Sequence, residues 1–168
     1  MTASLIVMID RVTVWTGKAM ALLVIPMMLL VFANAVLRYV FGMGSVWMQE
    51  AVIYCFVVLM TGLSGWALTT NEHVRVDIFY SALSARRQAI VDLAGAGLLM
   101  APFLWVMWTH SLPYVMRSWR IGERSMELSG IPLVWALKTF LLVFVIVTAL
   151  AGVAFVLRAA LRLAGRLE

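Results

Sequence analysis

The stretch that decides the fold is IPLVWALKTFLLVFVIVTALAGVAFVL, residues 131–157, in which Lys138 is the only charged residue. The hydrocarbon core of a bilayer is about 30 Å thick, and a helix needs roughly 20 apolar residues to cross it. Three similar stretches precede this one, at residues 19–37, 51–68 and 89–112. The sequence therefore predicts an all-α integral membrane protein with four transmembrane helices.

Composition limits what else the chain can contain. Apolar residues make up 64% of it and charged residues 12%, and the connecting segments, of about 12 to 20 residues, are too short to enclose cores of their own. We expect residues 1–168 to form one membrane domain. Cys55 is the only cysteine and lies inside the second stretch, which excludes a disulfide framework and a thiol relay within the chain. The first stretch is too long for a signal-peptide core, so we expect it to be a retained span.

The distribution of basic residues predicts the orientation, because short cytoplasmic loops hold the excess of Lys and Arg. One side of the membrane holds eight and the other holds four, with Lys138 inside the last stretch. Both termini are predicted to be cytoplasmic. The net charge of +5 then reflects orientation and attraction to anionic membrane lipids, and we expect no nucleic-acid partner.

Several residues predict how the helices turn and meet. Pro26 predicts a kink in the first span, and the Gly42-Met43-Gly44 turn predicts that spans one and two are antiparallel neighbours. Small residues in spans two and three predict contact between those spans, since small side chains allow close approach of helices. These residues are Gly62, Ser64, Gly65, Ala94, Gly95, Ala96 and Gly97.

Ionisable residues at the ends of the spans are candidate bundle-locking or relay groups, because charge in hydrocarbon is costly. Glu50, Lys138 and Arg38 are all predicted on the same side of the membrane, so Glu50 could contact either Lys138 or Arg38. An ion pair that locks the bundle is the favoured interpretation, and a proton relay is the alternative. Asp92 lies near Arg86 and Arg87 in sequence, which predicts a charge contact at the membrane surface.

Two polar segments flank the spans on opposite sides, and the chain's two histidines are divided between those sides. Residues 71–77 include His73, Arg75 and Asp77, followed by an apolar run that predicts a short interfacial helical segment. Two interpretations of this segment remain: it is a solvated loop, or its polar side chains bind a partner's cytoplasmic surface. His110 is predicted on the other side of the membrane from His73, so the two cannot jointly bind haem, and we expect no cofactor in this chain.

On the outer side, Arg117, Arg120 and Arg124 recur at spacings of three and four, which places them on one face if residues 114–124 are helical. Lipid headgroups are the first expectation for their contacts. An acidic patch on a periplasmic partner is the alternative.

The order of several short motifs resembles a known family. Arg38-Tyr39 is followed by Trp47-x-x-Glu50, with Asn34 before them. The segment from His73 to Asp77 reads His-Val-Arg-Val-Asp, and Gly130-Ile131-Pro132 precedes the last span. Together these motifs resemble the small membrane subunit, DctQ type, of tripartite ATP-independent periplasmic (TRAP) transporters, over nearly the whole chain.

The resemblance implies a scaffold subunit of the bacterial inner membrane rather than an enzyme. In this family a large polytopic membrane subunit holds the substrate and sodium sites, and a periplasmic substrate-binding protein delivers an organic acid. Partner-contacting or bundle-locking roles are therefore expected for nine residues, and replacing Glu50 or Asp77 with Ala is expected to reduce complex recovery or transport. The nine are Asn34, Arg38, Tyr39, Trp47, Glu50, His73, Arg75, Asp77 and Lys138.

Other classes explain the sequence less well. A self-contained four-helix exporter acting as a homo-oligomer is the alternative, but it is expected to carry an acid inside the first span, and residues 19–37 contain none. A membrane enzyme would require a nucleophile with a base, or a metal cluster, and the sequence shows neither pattern. The identity of the organic acid is not encoded here, because in the family the selecting residues lie on the other two proteins.

Overall fold

The chain folds into helices alone over the part of it that the computed structural model describes, residues 2–70, 80 and 83–165. The helices are α1 (Thr2–Ala21), α2 (Val24–Val40), α3 (Val46–Thr69), α4 (Ala85–Gly95), α5 (Ala101–Ile121) and α6 (Val134–Leu163), with a π-helical segment Ala96–Met100 joining α4 to α5. Four helical stretches are long and apolar enough to cross a membrane: Ser4–Val40, Val46–Thr69, Ala85–Ile121 and Val134–Leu163. The predicted all-α fold with four spans is confirmed.

The first helical stretch starts far earlier than the predicted span. Residues 2–18 were expected to flank the membrane, yet they form most of α1, because Ile6, Ile9 and Thr13 follow helical spacing and are buried against the bundle. The stretch breaks at Leu22 and Leu23, one turn before Pro26. Proline cannot donate a backbone hydrogen bond to the preceding turn, which accounts for a break at this place.

α3 and α6 pack on each other at the centre of the bundle. α1 and α2 pack on α3, while α4 and α5 pack on α6, and α1 also reaches α6. The turn after α2 works as predicted: Gly42 has φ +66°, and Met43 N donates to Leu37 O at 3.0 Å, which closes the helix end. This reversal lays α2 and α3 antiparallel and side by side.

The predicted contact between the small residues of spans two and three is wrong. A Cβ on Gly62 would collide with Met20 of α1, and one on Gly65 would lie 2.5 Å from Val147 of α6. Gly95 and Gly97 have nothing within 4 Å among the described residues. The small residues of α3 therefore serve α1 and α6, and the main helix pairings in the described part do not join α3 to α4 or α5.

Candidate functional site

The first polar contact of the site ties α2 to the start of α3. Ser45 caps α3, since its Oγ accepts from Met48 N at 3.3 Å. Ser45 N in turn donates to Asn34 Oδ1 of α2 at 3.1 Å. Asn34, one of the nine residues expected to contact a partner or lock the bundle, thus has its amide against the turn before α3.

Glu50 lies one turn inside α3 and holds the connection between α5 and α6. Its carboxylate accepts hydrogen bonds from Ser125 Oγ and from Ile131 N. Carboxylate hydrogen bonds of this kind are stronger than neutral ones. We call Glu50, Ser125, Gly130 and Ile131 the clamp, and the end of the bundle that contains it the clamp end.

Gly130 completes the clamp because only glycine fits at its position. A Cβ there would collide with Ser125 and would lie 2.7 Å from Glu50 Oε1. The sequence offered Trp47-x-x-Glu50 and Gly130-Ile131-Pro132 as separate motifs, and the structure brings them together. Ser125 was missed, since a serine in a polar loop carries no signal that it binds a carboxylate in another helix.

Lys138 pairs with Glu123, at 2.7 and 2.6 Å from its two carboxylate oxygens, and its Nζ lies 4.1 Å from the centre of the Tyr114 ring. The predicted contacts of Glu50 with Lys138 and with Arg38 are wrong. The cause is local: Gly122 ends α5 with φ +58°, and Glu123 N bonds to Ser118 O at 3.0 Å, so Glu123 turns back towards α6. Its hydrogen bond to the Lys138 ammonium holds the pKa of Glu123 below the ordinary value.

Two tryptophans, one from α5 and one from α6, contact each other at this end. The rings of Trp119 and Trp135 meet edge to face, with centroids 4.5 Å apart. Trp119 Nε1 also donates to Thr139 Oγ1 at 2.9 Å. Aromatic side chains with a polar tip are typical of the interfacial region of a membrane, so the clamp end lies at that depth.

The three arginines near the clamp are exposed but do not share one helix. Arg117 and Arg120 lie on the last turns of α5, whereas Arg124 lies beyond the helix end at Ile121. The condition for a shared face, a helix over residues 114–124, is not met at its end, because the left-handed Gly122 stops the helix. Beyond Arg124, the side chains of Met126 and Leu128 are also fully exposed. The clamp end thus displays exposed cationic and apolar side chains.

Arg38, Tyr39 and Trp47 lie on the outer part of α2 and the start of α3. All three are exposed, and Tyr39 is 86% exposed. Arg38 and Tyr39 line a shallow open groove between the two helices, together with Asn34 and Gln49. They are placed to contact something outside the chain.

Only some of the polar residues predicted on the other side of the membrane are among the described residues. His73, Arg75 and Asp77 lie outside the described residues. Asp92 is buried, with 8% of its surface exposed, and accepts a hydrogen bond from Tyr80 Oη at 2.9 Å. The charge contact that the sequence predicts for Asp92 at the membrane surface stays a prediction, and among the described residues Asp92 lines a small pocket with Arg158 and Arg162 of α6.

The chemistry of the site is that of a docking surface. Several of its polar groups bind one another through hydrogen bonds and one ion pair, and the exposed groups include arginines and apolar side chains. Among the described residues, no group of three or more His, Cys, Asp or Glu side chains lies close enough to hold a metal ion. The arrangement suits binding of a protein or a lipid.

Comparison with known proteins places this chain in a family. The sequence profile for the DctQ component of tripartite ATP-independent periplasmic transporters matches residues 27–164. The C4-dicarboxylate TRAP transporter small permease protein DctQ of Vibrio cholerae serotype O1 is 24% identical over 97 residues, which cover 55% of this chain and 42% of that protein. No solved structure matches the chain. The protein is a multi-pass membrane protein that belongs to the DctQ family of TRAP transporter components.

Proposed function

We propose that this chain is the small scaffold subunit of a sodium-coupled TRAP transporter for organic acids. It stabilises a large membrane subunit that holds the substrate and sodium sites, and a periplasmic protein delivers the substrate. Membership of the DctQ family supports this proposal, and so does the name of the Vibrio cholerae relative, a small permease protein. The excess of Lys and Arg supports cytoplasmic termini in the inner membrane.

The observation that carries the scaffold role is where the polar groups lie. The charged residues of the described spans lie at the two ends, including Glu50 and Lys138 at one end and Asp92 and Arg158 at the other. Between these ends, α3 and α6 meet through the hydroxyl groups of Ser64 and Thr148, 3.2 Å apart. Transporters that bind anions near the bilayer midplane use broken helices and charged or polar groups there. The described residues offer no comparable anion site.

The shape of the bundle also fits a scaffold that packs beside a larger membrane protein. Among the main helix pairings α2 packs only on α3, and it has no buried residue at all. Large apolar side chains such as Leu29 and Phe32 are exposed along it. Exposed apolar helix faces of this kind can pack against another membrane protein.

Co-purification from native membranes tests the proposal directly. With a tag at the C-terminus, we expect one large polytopic protein to be recovered in fixed ratio with this chain. In liposomes with the binding protein, the pair should take up an organic acid on a sodium gradient, and the large subunit alone should do so poorly. Recovery only as a homo-oligomer that transports substrate unaided would favour the exporter class and overturn the proposal.

A further inference from the structure

One face of α1 carries an apolar stripe that is exposed in the part of the chain that the structure describes. Leu5, Met8, Val12 and Trp15 follow one another at steps of three, four and three residues, which places them on one side of the helix. They are 42%, 60%, 52% and 70% exposed. We call these four residues the α1 stripe.

Contacts between α1 and α3 fix the depth of the stripe. Thr13 Oγ1 lies 2.9 Å from Thr69 Oγ1, and a Cβ on Gly17 would lie 2.6 Å from Trp66 Cβ, so the two helices run antiparallel and Thr13 is level with the end of α3. Nineteen residues separate Glu50 from Thr69 on α3, a rise of about 28 Å at 1.5 Å per residue. That distance is close to the thickness of the hydrocarbon core. Thr13 therefore lies near the boundary of the core.

The stripe extends past that boundary. Leu5 is eight residues before Thr13, or about 12 Å further along the helix, whereas each headgroup layer is only about 5 to 7 Å thick. α1, the break at Leu22 and Leu23, and α2 together span 37 residues from Ser4 to Val40, a length of about 55 Å at the helical rise. To fit within about 30 Å, the two helices would need a mean tilt of nearly 60°, and observed tilts reach only about 40°. Lipid tails cannot cover the far end of the stripe.

α1 is also held in this position by the chain itself. Ile6 and Ile9 are buried, and Asp10 pairs with Arg158 of α6 at 2.8 Å. These contacts run along α3 and α6, which cross the membrane, so α1 is not free to lie flat on the lipid surface. A fixed apolar face at this level is typical of a contact site for another protein.

The surroundings of the stripe indicate the kind of partner. Exposed apolar residues continue into the membrane-depth part of the same helical stretch at Leu22, Ile25, Leu29 and Phe32, so one partner that covers the whole length must itself be a membrane protein. Arg11 and Lys18 are exposed on α1, at helical positions adjacent to the stripe. They favour carboxylates on the facing surface.

We propose that the α1 stripe is a docking surface for the large membrane subunit, on the side of the membrane where this chain begins. The partner would present an apolar helix that continues at least about 12 Å beyond the hydrocarbon core, with acidic residues facing Arg11 and Lys18. This inference rests on the proposed function, because it names the place where the two subunits meet.

The test places a photoactivatable benzophenone amino acid at Met8 or at Val12 of the tagged chain, in native membranes that contain the whole transporter. The matched control carries it at Val7, which is 57% exposed and lies about 100° away around the helix from Met8. Illumination should crosslink the chains that carry the photoactivatable amino acid at Met8 or Val12 to the large subunit. The chain that carries it at Val7 should give little crosslinked product. Adducts only with lipid or with a second copy of this chain, or equal adducts at all three positions, would overturn the inference.

A second measurement separates failure of this inference from failure of the proposed function. The doubly substituted chain M8E/V12E should recover about tenfold less large subunit than the unsubstituted chain, because two apolar contacts are replaced by charges, while V7E should recover nearly as much. If the unsubstituted chain recovers no large subunit, the proposed function itself fails. If it recovers the subunit and M8E/V12E recovers as much, only the docking surface is wrong.

Discussion

The two ends of the bundle differ in which of their side chains have partners within the chain. At the clamp end, Glu50 and Lys138 find partners in the connection between α5 and α6. At the end where α1 begins, Asp10 pairs with Arg158, but the apolar stripe of α1 is exposed in the described part of the chain. The comparison distinguishes residues that stabilise this chain from exposed residues that are available to bind a partner. Substitutions at the clamp should lower the stability of the isolated chain, whereas substitutions in the α1 stripe should lower only complex recovery.

The largest effect is expected from Glu50→Ala. The change removes the acceptor for Ser125 and for the backbone amide of Ile131, and leaving such groups unsatisfied costs about 3 kcal/mol. Thermal unfolding of the purified chain should show a clear fall in Tm, and less complex should be recovered. Glu127→Ala is the matched control, since Glu127 is exposed in the same connection. Equal Tm values for the two variants would contradict the clamp.

Gly130→Ala should have the next largest effect. The new methyl group would meet Ser125 and Glu50, and overpacking of this kind costs about 2 kcal/mol. Gly44→Ala is the control, because a Cβ on Gly44 meets nothing within 4 Å. Chemical denaturation of both variants in the same detergent checks the difference. A Gly130 variant as stable as the Gly44 variant would show that the clamp is looser than its geometry indicates.

At the other end, the ion pair of Asp10 and Arg158 should contribute about 1 kcal/mol, because both side chains are about a quarter exposed and partly screened by solvent. A double-mutant cycle with Asp10→Asn and Arg158→Gln measures the coupling. The coupling should be present in the isolated chain, since both partners belong to it. A coupling that arises only in the assembled complex would mean that α1 is positioned by the partner instead.

The smallest effect concerns pH at the clamp end. The pKa of Glu123 is lowered in the folded chain by its hydrogen bond to Lys138, so the pair contributes stability above the ordinary value of 4.5. That contribution is lost as the pH falls through the lower, folded value. Glu123→Gln should remove this part of the acid sensitivity. The check compares Tm for the two chains from pH 7 down to pH 3, and parallel curves would contradict the assignment.

Much of the fold could be predicted from the residues because it depends on local properties. Apolar length indicated four spans, and Gly42 indicated the turn after α2. The extent of α1 was missed, since its buried residues Ile6 and Ile9 are interspersed with polar ones and lie outside any long apolar run. The contact between spans two and three was wrong for a related reason. Small residues show that a helix can be approached closely, but they do not show which helix approaches.

In the candidate site too, a residue could be identified from the sequence but its partners could not. Glu50 was identified because a carboxylate at the end of a span is costly to leave unpaired, but its partners were not. Ser125 and Ile131 reach it only after α5 ends at Gly122 and the chain folds back over α3. Three further predicted residues, His73, Arg75 and Asp77, lie outside the described part of the chain, so their roles stay predictions.

Hydropathy and turn chemistry were enough to establish a membrane protein with four spans, because both act over one helix or one turn and can be identified from neighbouring residues. The choice of partners for Glu50, Lys138 and Gly62 was made by the packing of distant helices, which sets the distance between groups 15 or more residues apart along the chain. The same packing holds the first half of α1 beyond the core of the membrane, with its stripe exposed. A sequence pattern shows that a side chain is apolar, but only the tertiary structure shows that it is exposed among the described residues.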